Sequence, residues 1–376
     1  ASDNNFDGVA DQTVTVSTTD DDVAGFTIVE LEGSTEVDES GDTDTFTVVL
    51  DAQPTSDVLI TLESSDAGEA TVTSTLTFTP ANWNTPQIAT ITGIDDDIID
   101  GSQTSTITVS VDDANSDDDF DGVADQTVSV STTDDDVAGF TVAETEGSTG
   151  VDESGTTDTI TVVLNAQPTS DVVIAISSSD TGETAVNGST VNNNSLTFTS
   201  ANWDTAQSFT VTGVDDDLVD GTVESTLTIS VVDALTDNGF DGVADQTVTA
   251  STTDDDVAGF TITETEGSTT VTEAGSTDTF DVVLNAQPDS NVVLTISSSD
   301  TGESTVHGST PSNNTITFTS ANWNTPQAFT VTGVDDDLVD GTVSSTATVS
   351  VVDAVSDNNF DGVADQTVSV STTDDD

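Results

Sequence analysis

Carboxylates dominate this chain of 376 residues: Asp and Glu number 72, Lys and Arg are absent, and the formal net charge is -72. Two spacings among them could do chemistry. The first is SDNNFDGVAD, where Asp3, Asn5, Asp7 and Asp11 alternate around Gly8. They occupy ligand positions of a D-x-[DN]-x-[DN]-G loop, in which alternate side chains converge on one cation and glycine permits the sharp turn. Copies follow at Asp117, Asp119, Asp121 and Asp125, at Asp237, Asp241 and Asp245, and at Asp357, Asn359, Asp361 and Asp365. In the copy that starts at Asp237, Gly239 removes one ligand. The closing Glu of an EF-hand is missing, since Val14 and Val128 stand there, so the loop is not an EF-hand. A polar hairpin turn between two strands accounts for the same residues without an ion.

The second spacing is the Asp triplet. GVDDDLVD supplies Asp215, Asp216, Asp217 and Asp220, and TTDDD supplies Asp254, Asp255 and Asp256. Adjacent carboxylates raise one another's pKa unless they are solvated or bind a metal. A solvated, self-repelling loop is the plainer reading of such a run. With no cationic side chain to pair with, however, the charge has no internal remedy. Monovalent salt screens over roughly 8–10 Å, too coarsely to neutralise neighbouring carboxylates. Clustered carboxylate oxygens suit hard ions, Ca²⁺ above all.

Composition excludes several classes. Nucleic acid is not a partner, because phosphate contacts need Lys or Arg. An anionic membrane repels this chain, and no apolar run approaches the roughly 20 residues of a membrane span. Cysteine is absent, so disulfides and thiolate sites are unavailable. Acidic chains are often disordered, but here 33% of residues are hydrophobic and they alternate regularly. Salt adaptation explains the total charge better than its placement in triplets.

The elements that must position these groups repeat along the chain. FDGVADQTV begins at Phe6, Phe120, Phe240 and Phe360, a period of 114 residues once and 120 twice. Such a period matches a whole small domain. Complete repeats span 23–136, 137–256 and 257–376. Residues 1–22 duplicate the end of a repeat, as expected of a window on a longer array or of a strand donated to a neighbouring subunit. The first repeat is the shorter because the later ones carry Asn/Ser/Gly-rich insertions near Asn187–Asn194 and His307–Asn314, which predicts a surface loop there. Alternation in TDTITVVL, DVVIAI, SLTFT, SFTVT, STLTISV and TVTAS, with the opening AGFTV, predicts about seven strands per repeat. The fold class is all-β: tandem immunoglobulin-like β-sandwich domains.

The order of acidic motifs, E-x-x-G, an Asp turn, DDDxxD and a terminal DDD, resembles the Calx-beta domain, as do DESGTTDT, VVLNAQPTSDVVI and ANWNTPQ. That family is a calcium-binding sandwich found in sodium–calcium exchangers and, in tandem, in bacterial surface adhesins. The resemblance covers nearly the whole chain and implies calcium ligands. In the first repeat these are Glu30, Asp66, Asp95, Asp96, Asp100, Asp134, Asp135 and Asp136. In the second they are Glu144, Asp180, Asp215, Asp216, Asp220, Asp254, Asp255 and Asp256. In the third they are Glu264, Asp300, Asp335, Asp336, Asp340, Asp374, Asp375 and Asp376. Asp stands where the exchanger-type DDDxxE site has Glu, and the FDGVAD loop is outside the family pattern.

Enzyme chemistry finds little support. The single histidine, His307, is replaced by Asn187 in the second repeat, so no nucleophile–base pair recurs. Trp83, Trp203 and Trp323 recur in ANW and read as packing residues, with sugar stacking as the alternative. Asn187, Asn193 and Asn313 begin glycosylation sequons. The expected function is a calcium-binding structural array, not an enzyme: a stiff extracellular stalk or filament at the cell surface, its subunits or repeats joined end to end. The alternative is a glycan- or protein-binding adhesive module.

Overall fold

Thr and Val at alternate positions favour extended backbone, because β-branched side chains fit the pleat and one face can be buried. The computed structural model describes residues 4–31, 33–188 and 194–376. Asp3 and Asn193 therefore lie outside the described residues. The chain divides into two units, one of Ala1–Ala138 with Ala166–Thr169, the other of Gly139–Asn165 with Ser170–Asp376.

The described residues of the first unit form nine strands: β1 (Phe26–Glu30), β2 (Thr35–Asp38), β3 (Thr43–Leu50), β4 (Val58–Ser64), β5 (Ala70–Val72), β6 (Thr75–Phe78), β7 (Gln87–Gly93), β8 (Gln103–Val111) and β9 (Gln126–Thr133). They form a four-stranded sheet, β1-β3-β7-β5, and a five-stranded sheet, β2-β9-β8-β4-β6. All pairs are antiparallel except β2 with β9, where Thr35 faces Val130 and Asp38 faces Thr133. Phe46, Val48 and Leu50 on β3 and Val58, Ile60 and Leu62 on β4 are buried in one core with Phe78, Ile91 and Val109. Each such side chain contributes about 1.5–3 kcal/mol by leaving water.

The second unit repeats the plan twice, with four-stranded and five-stranded sheets for the second and third repeats. Immunoglobulin-like sandwiches are thus present as expected, but with nine strands per repeat among the described residues rather than about seven. The extra two in the second repeat are Thr149–Asp152 and Thr184–Asn187. Both are four-residue edge strands. Thr149–Asp152 buries a single large apolar residue, Val151, so alternation does not reveal it. The insertions follow Asn187 and His307 and lead into Ser195–Phe198 and Thr315–Phe318.

The first FDGVADQTV copy behaves differently from the others. Phe6 is 71% exposed, whereas Phe120, Phe240 and Phe360 are buried. Gln12–Thr19 forms no strand, although its counterpart Gln126–Thr133 does. A lone final strand has no equivalent of β8 or β2 within residues 1–22 to bond its backbone.

Candidate metal centre

Four segments of each repeat converge at one end of the sandwich. In the first repeat they are the turn after β2, the turn before β5, the β7–β8 loop and the segment after β9. Glu39 N donates to Thr133 O at 3.2 Å, extending the parallel pair one residue past the strands. Ile94 N donates to Glu69 O at 2.9 Å, tying the turn before β5 to the end of β7. Gly93 is required here: a Cβ would lie 1.9 Å from Asp38 O. Gly213 and Gly333 meet Asp152 O and Thr272 O in the same way, at 1.9 and 2.0 Å. The close approach seats the glutamate that follows, Glu39, Glu153 or Glu273, against the loops.

The aspartates of those loops are held by backbone N–H groups. Asp134 Oδ2 accepts from Asp100 N at 3.1 Å and Gly101 N at 2.7 Å, and its Oδ1 accepts from Asp136 N at 2.8 Å. Asp254 and Asp374 do the same for Asp220, Gly221 and Asp256 and for Asp340, Gly341 and Asp376. Asp96, Asp216 and Asp336 each accept from the N–H two residues on, at 2.7 Å. These backbone bonds orient the aspartates of the centre.

Several of its oxygens have no partner. Glu39, Glu153 and Glu273 are each 1% exposed, yet their Oε2 atoms are buried without a hydrogen bond. Glu69, Glu183 and Glu303 leave Oε2 bare, Asp136 and Asp256 leave Oδ2, and Asp220 leaves Oδ1. Carboxylates gather within 4.8 Å as Glu39–Asp96–Asp136, as Glu153–Asp254–Asp256 with Glu153–Glu183–Asp220, and as Glu273–Glu303–Asp340. A buried ionised oxygen left bare is costly, so such groups neutralise or take a cation. Burial, with Asp134, Asp96 and Glu69 nearby, pushes Glu39 up to about 7. Burial likewise takes Glu153 to about 7, and burial with Asp134 and Asp97 takes Asp136 to about 6. Glu69, Glu183, Asp220, Asp256, Glu273 and Glu303 are all raised, with burial first and neighbouring carboxylates next. Asp374 is lowered by the N–H groups of Gly341 and Asp376. An all-oxygen set of this size fits Ca²⁺, which takes 6–8 oxygen ligands at roughly 2.3–2.6 Å.

Of the residues implied by resemblance, Asp96, Asp136, Asp216, Asp220, Asp254, Asp256, Asp336 and Asp340 stand in or beside these clusters. Asp100 and Asp134 do too, through their charge on Glu69 and Glu39. Asp95, Asp135, Asp215, Asp255, Asp335, Asp375 and Asp376 are exposed, and the charges of Asp95 and Asp135 still reach Asp136, as those of Asp215 and Asp255 reach Asp256. Asp66, Asp180 and Asp300 close the turn before the second glutamate by accepting from Gly68, Gly182 and Gly302 N at 2.9–3.0 Å. Glu30, Glu144 and Glu264 are not brought in: each accepts a hydroxyl bond from Thr35, Thr149 or Thr269 at 3.0 Å. The glutamates that are brought in, Glu39, Glu69 and their repeats, were absent from the implied ligand set. One signal was available, because DES, DES and TEA keep Glu while the Asp before it changes to Thr.

The FDGVAD loop has another role. Asp117 is 3% exposed, and its Oδ2 accepts from Thr55 N, Thr55 Oγ1 and Ser56 N at 2.6–2.7 Å. Its Oδ1 accepts from Asp119 N at 3.1 Å, capping the short 3₁₀ turn that carries Phe120 into the core. Those donors bring Asp117 down to about 2. Asp237 and Asp357 bond Ser170 and Ser290 in the same manner. The remaining groups, Asp119, Asp121, Asp125, Asp241, Asp245, Asn359, Asp361 and Asp365, are exposed, as are Asn5, Asp7 and Asp11. Among the described residues, the loop carboxylates form no group like those above. The leading position of the motif is a structural clamp saturated by protein donors.

Fold and site together define a tandem immunoglobulin-like β-sandwich protein with a carboxylate-lined centre at one end of each repeat. No family model and no curated protein matches the chain. Among solved structures, the I-band fragment I67–I69 from titin is 10% identical, covering 95% of this chain and 98% of its own, with a TM-score of 0.30. Surface layer protein SbsC, domains 4–9, is 15% identical over 94% of this chain and 48% of its own, with a TM-score of 0.27. The calcium binding domain CBD12 of CALX1.1 is 17% identical over 54% of this chain and 80% of its own, with a TM-score of 0.23.

Proposed function

We propose that the chain is a calcium-binding structural array of Calx-beta-like sandwiches, spanning 23–136, 137–256 and 257–376, that serves as an extracellular stalk or filament. One observation carries the reading. Each repeat buries glutamate oxygens without a partner beside aspartates, in a chain that has no cationic side chain. Calcium would be held by Glu39, Glu69, Asp96, Asp100, Asp134 and Asp136 and by their repeats. The ion would supply the positive charge that the sequence lacks. Because Asp134–Asp136 and Asp254–Asp256 directly precede the next repeat, ion binding would also stiffen the linkers. The centres do not act as an enzyme in this reading: backbone bonds hold Asp96 and Asp134 and their repeats, and the bare oxygens beside them serve as ligands.

Thermal unfolding with and without calcium tests it. A ligand bound only by the native state stabilises it by RT ln(1 + [L]/Kd), about 2.7 kcal/mol at a hundredfold excess over Kd. The melting temperature is expected to rise steeply between chelator and millimolar calcium. A melting temperature indifferent to calcium defeats the reading.

A further inference from the structure

Calcium binding makes no use of the Asn-x-Ser/Thr sequons, which begin at Asn187, Asn193 and Asn313. Ser189 of the first and Asn193 of the second lie outside the described residues, so the third alone is described whole. It sits in the insertion between the strands Ser304–His307 and Thr315–Phe318. The first of these is an edge of the repeat's four-stranded sheet, and the second is an edge of its five-stranded sheet.

The local sequence builds a platform for Asn313. Pro311 presets φ at the second position of a tight turn, in which Asn313 N donates to Thr310 O at 3.0 Å. Gly308 N donates to Asn313 O at 2.6 Å. A Cβ on Gly308 would lie 2.3 Å from Thr315 O, so only glycine lets the turn fold back on the following strand. Both main-chain polar groups of Asn313 are thereby used. Its side-chain oxygen is used as well: Oδ1 accepts from Thr315 N at 3.1 Å and from Thr315 Oγ1 at 2.7 Å. Asn313 is exposed, and its Nδ2 donates to nothing among the described residues. The adjacent asparagine is spent the opposite way. Asn314 Nδ2 donates to Thr295 Oγ1 at 3.2 Å and to Ile296 O at 3.1 Å, pinning the loop to the neighbouring strand. In the second repeat Asn194 Nδ2 donates likewise to Ile176 O at 2.8 Å. Of two neighbouring amides, one anchors the loop and the other is left free, and the free one has threonine two residues on.

Glycosyl transfer to asparagine needs these features. The acceptor is the side-chain amide nitrogen, a hydroxyl residue completes the sequon two positions on, and the folded surface must leave room for a bulky, solubilising group. We propose that Asn313 carries an N-linked glycan. The donor class is an oligosaccharide held on a lipid diphosphate. Asn313 Nδ2 bonds to the anomeric carbon of the sugar, and the bond from that carbon to the diphosphate oxygen breaks. The diphosphate leaves with the bonding pair and takes up the amide proton that is lost. The proposal rests on the extracellular part of the reading above and not on calcium.

The test uses the chain purified from its own source. Without Lys or Arg to cut at, fragments come from aspartate-directed cleavage, and the stretch between Asp300 and Asp335 contains this one sequon. Mass spectrometry is expected to find that fragment heavier by a whole number of sugar residues. Peptide-N-glycosidase in heavy-oxygen water is expected to strip the added mass and convert Asn313 to a labelled aspartate. Asn313→Gln and Thr315→Val are each expected to lose the added mass completely, and Thr315→Ser to keep it. Valine retains the β-branched shape that suits the strand, so its loss reports on the hydroxyl rather than on folding. Added mass that survives Asn313→Gln would be sugar on a hydroxyl and overturns the assignment. An unmodified fragment from a chain recovered outside the cell overturns it too, and leaves the extracellular reading standing. A chain found only inside the cell overturns that reading and the proposal together.

Discussion

At the scale of single residues, the centre is an arrangement of acids whose charges cannot all be tolerated without a cation. The sign of the resulting pH dependence follows from the shifts. Glu39 and Glu153 rise from 4.5 to about 7 on folding, and Asp136 from 3.8 to about 6. The folded state therefore holds protons that the unfolded state has released. Their favourable contribution is complete below the unfolded values and lost as pH climbs through the folded ones. In chelator, the melting temperature is expected to fall between about pH 4.5 and 7, most steeply in the middle of that window, where the unfolded state has released these protons and the folded state still holds them. With saturating calcium the fall should flatten, since the ion replaces the protons. A calcium-free melting temperature that rises over this window would contradict the assignment of these carboxyls.

At the scale of elements, the strands and the carboxylate turns were legible to different degrees. Alternation located seven strands in each repeat because most bury two or more apolar residues, as Phe46, Val48 and Leu50 do on β3, while the opening strand buries one Phe and half-buries a second apolar residue two positions on. Thr149–Asp152 escaped it, since it is held by parallel pairing with Gln246–Thr253 and not by its own pattern. The aspartate runs were legible because three adjacent acids are conspicuous. Glu39 and Glu69 were not, because each sits in a short polar turn beside other acids and acquires its role only from Gly93 and the chain crossing there. The FDGVAD loop was legible only in part. Its spacing suits an ion, but Asp117 finds donors on a segment more than 60 residues away, which spacing cannot reveal. Asp117→Ala should accordingly destabilise the first repeat by roughly 1–3 kcal/mol, because it leaves buried donors unpaired and removes a cap. The loss should be equal with and without calcium. Denaturant unfolding under both conditions checks this, and a loss seen only with calcium would return the loop to ion binding.

At the scale of the whole molecule, a net charge of -72 without any Lys or Arg makes every repeat repel its neighbour. Monovalent salt screens that repulsion between repeats but not between carboxylates in contact. Divalent ions bound at each repeat would act where screening cannot, lowering the charge at the linkers that must stay aligned in a stalk or filament. Among the described residues no helix is long and apolar enough to cross a membrane. The most direct measurement is equilibrium dialysis against labelled calcium, comparing the unaltered chain with one carrying Glu39→Gln, Glu153→Gln and Glu273→Gln together. Glutamine preserves shape, removes the charge and replaces one acceptor oxygen at each centre with an NH2 donor that cannot ligate calcium. The account predicts about one retained ion or more per repeat in the unaltered chain, and most of them lost in the triple variant while it stays folded. Equal calcium retention by the two chains, or none by either, would contradict it.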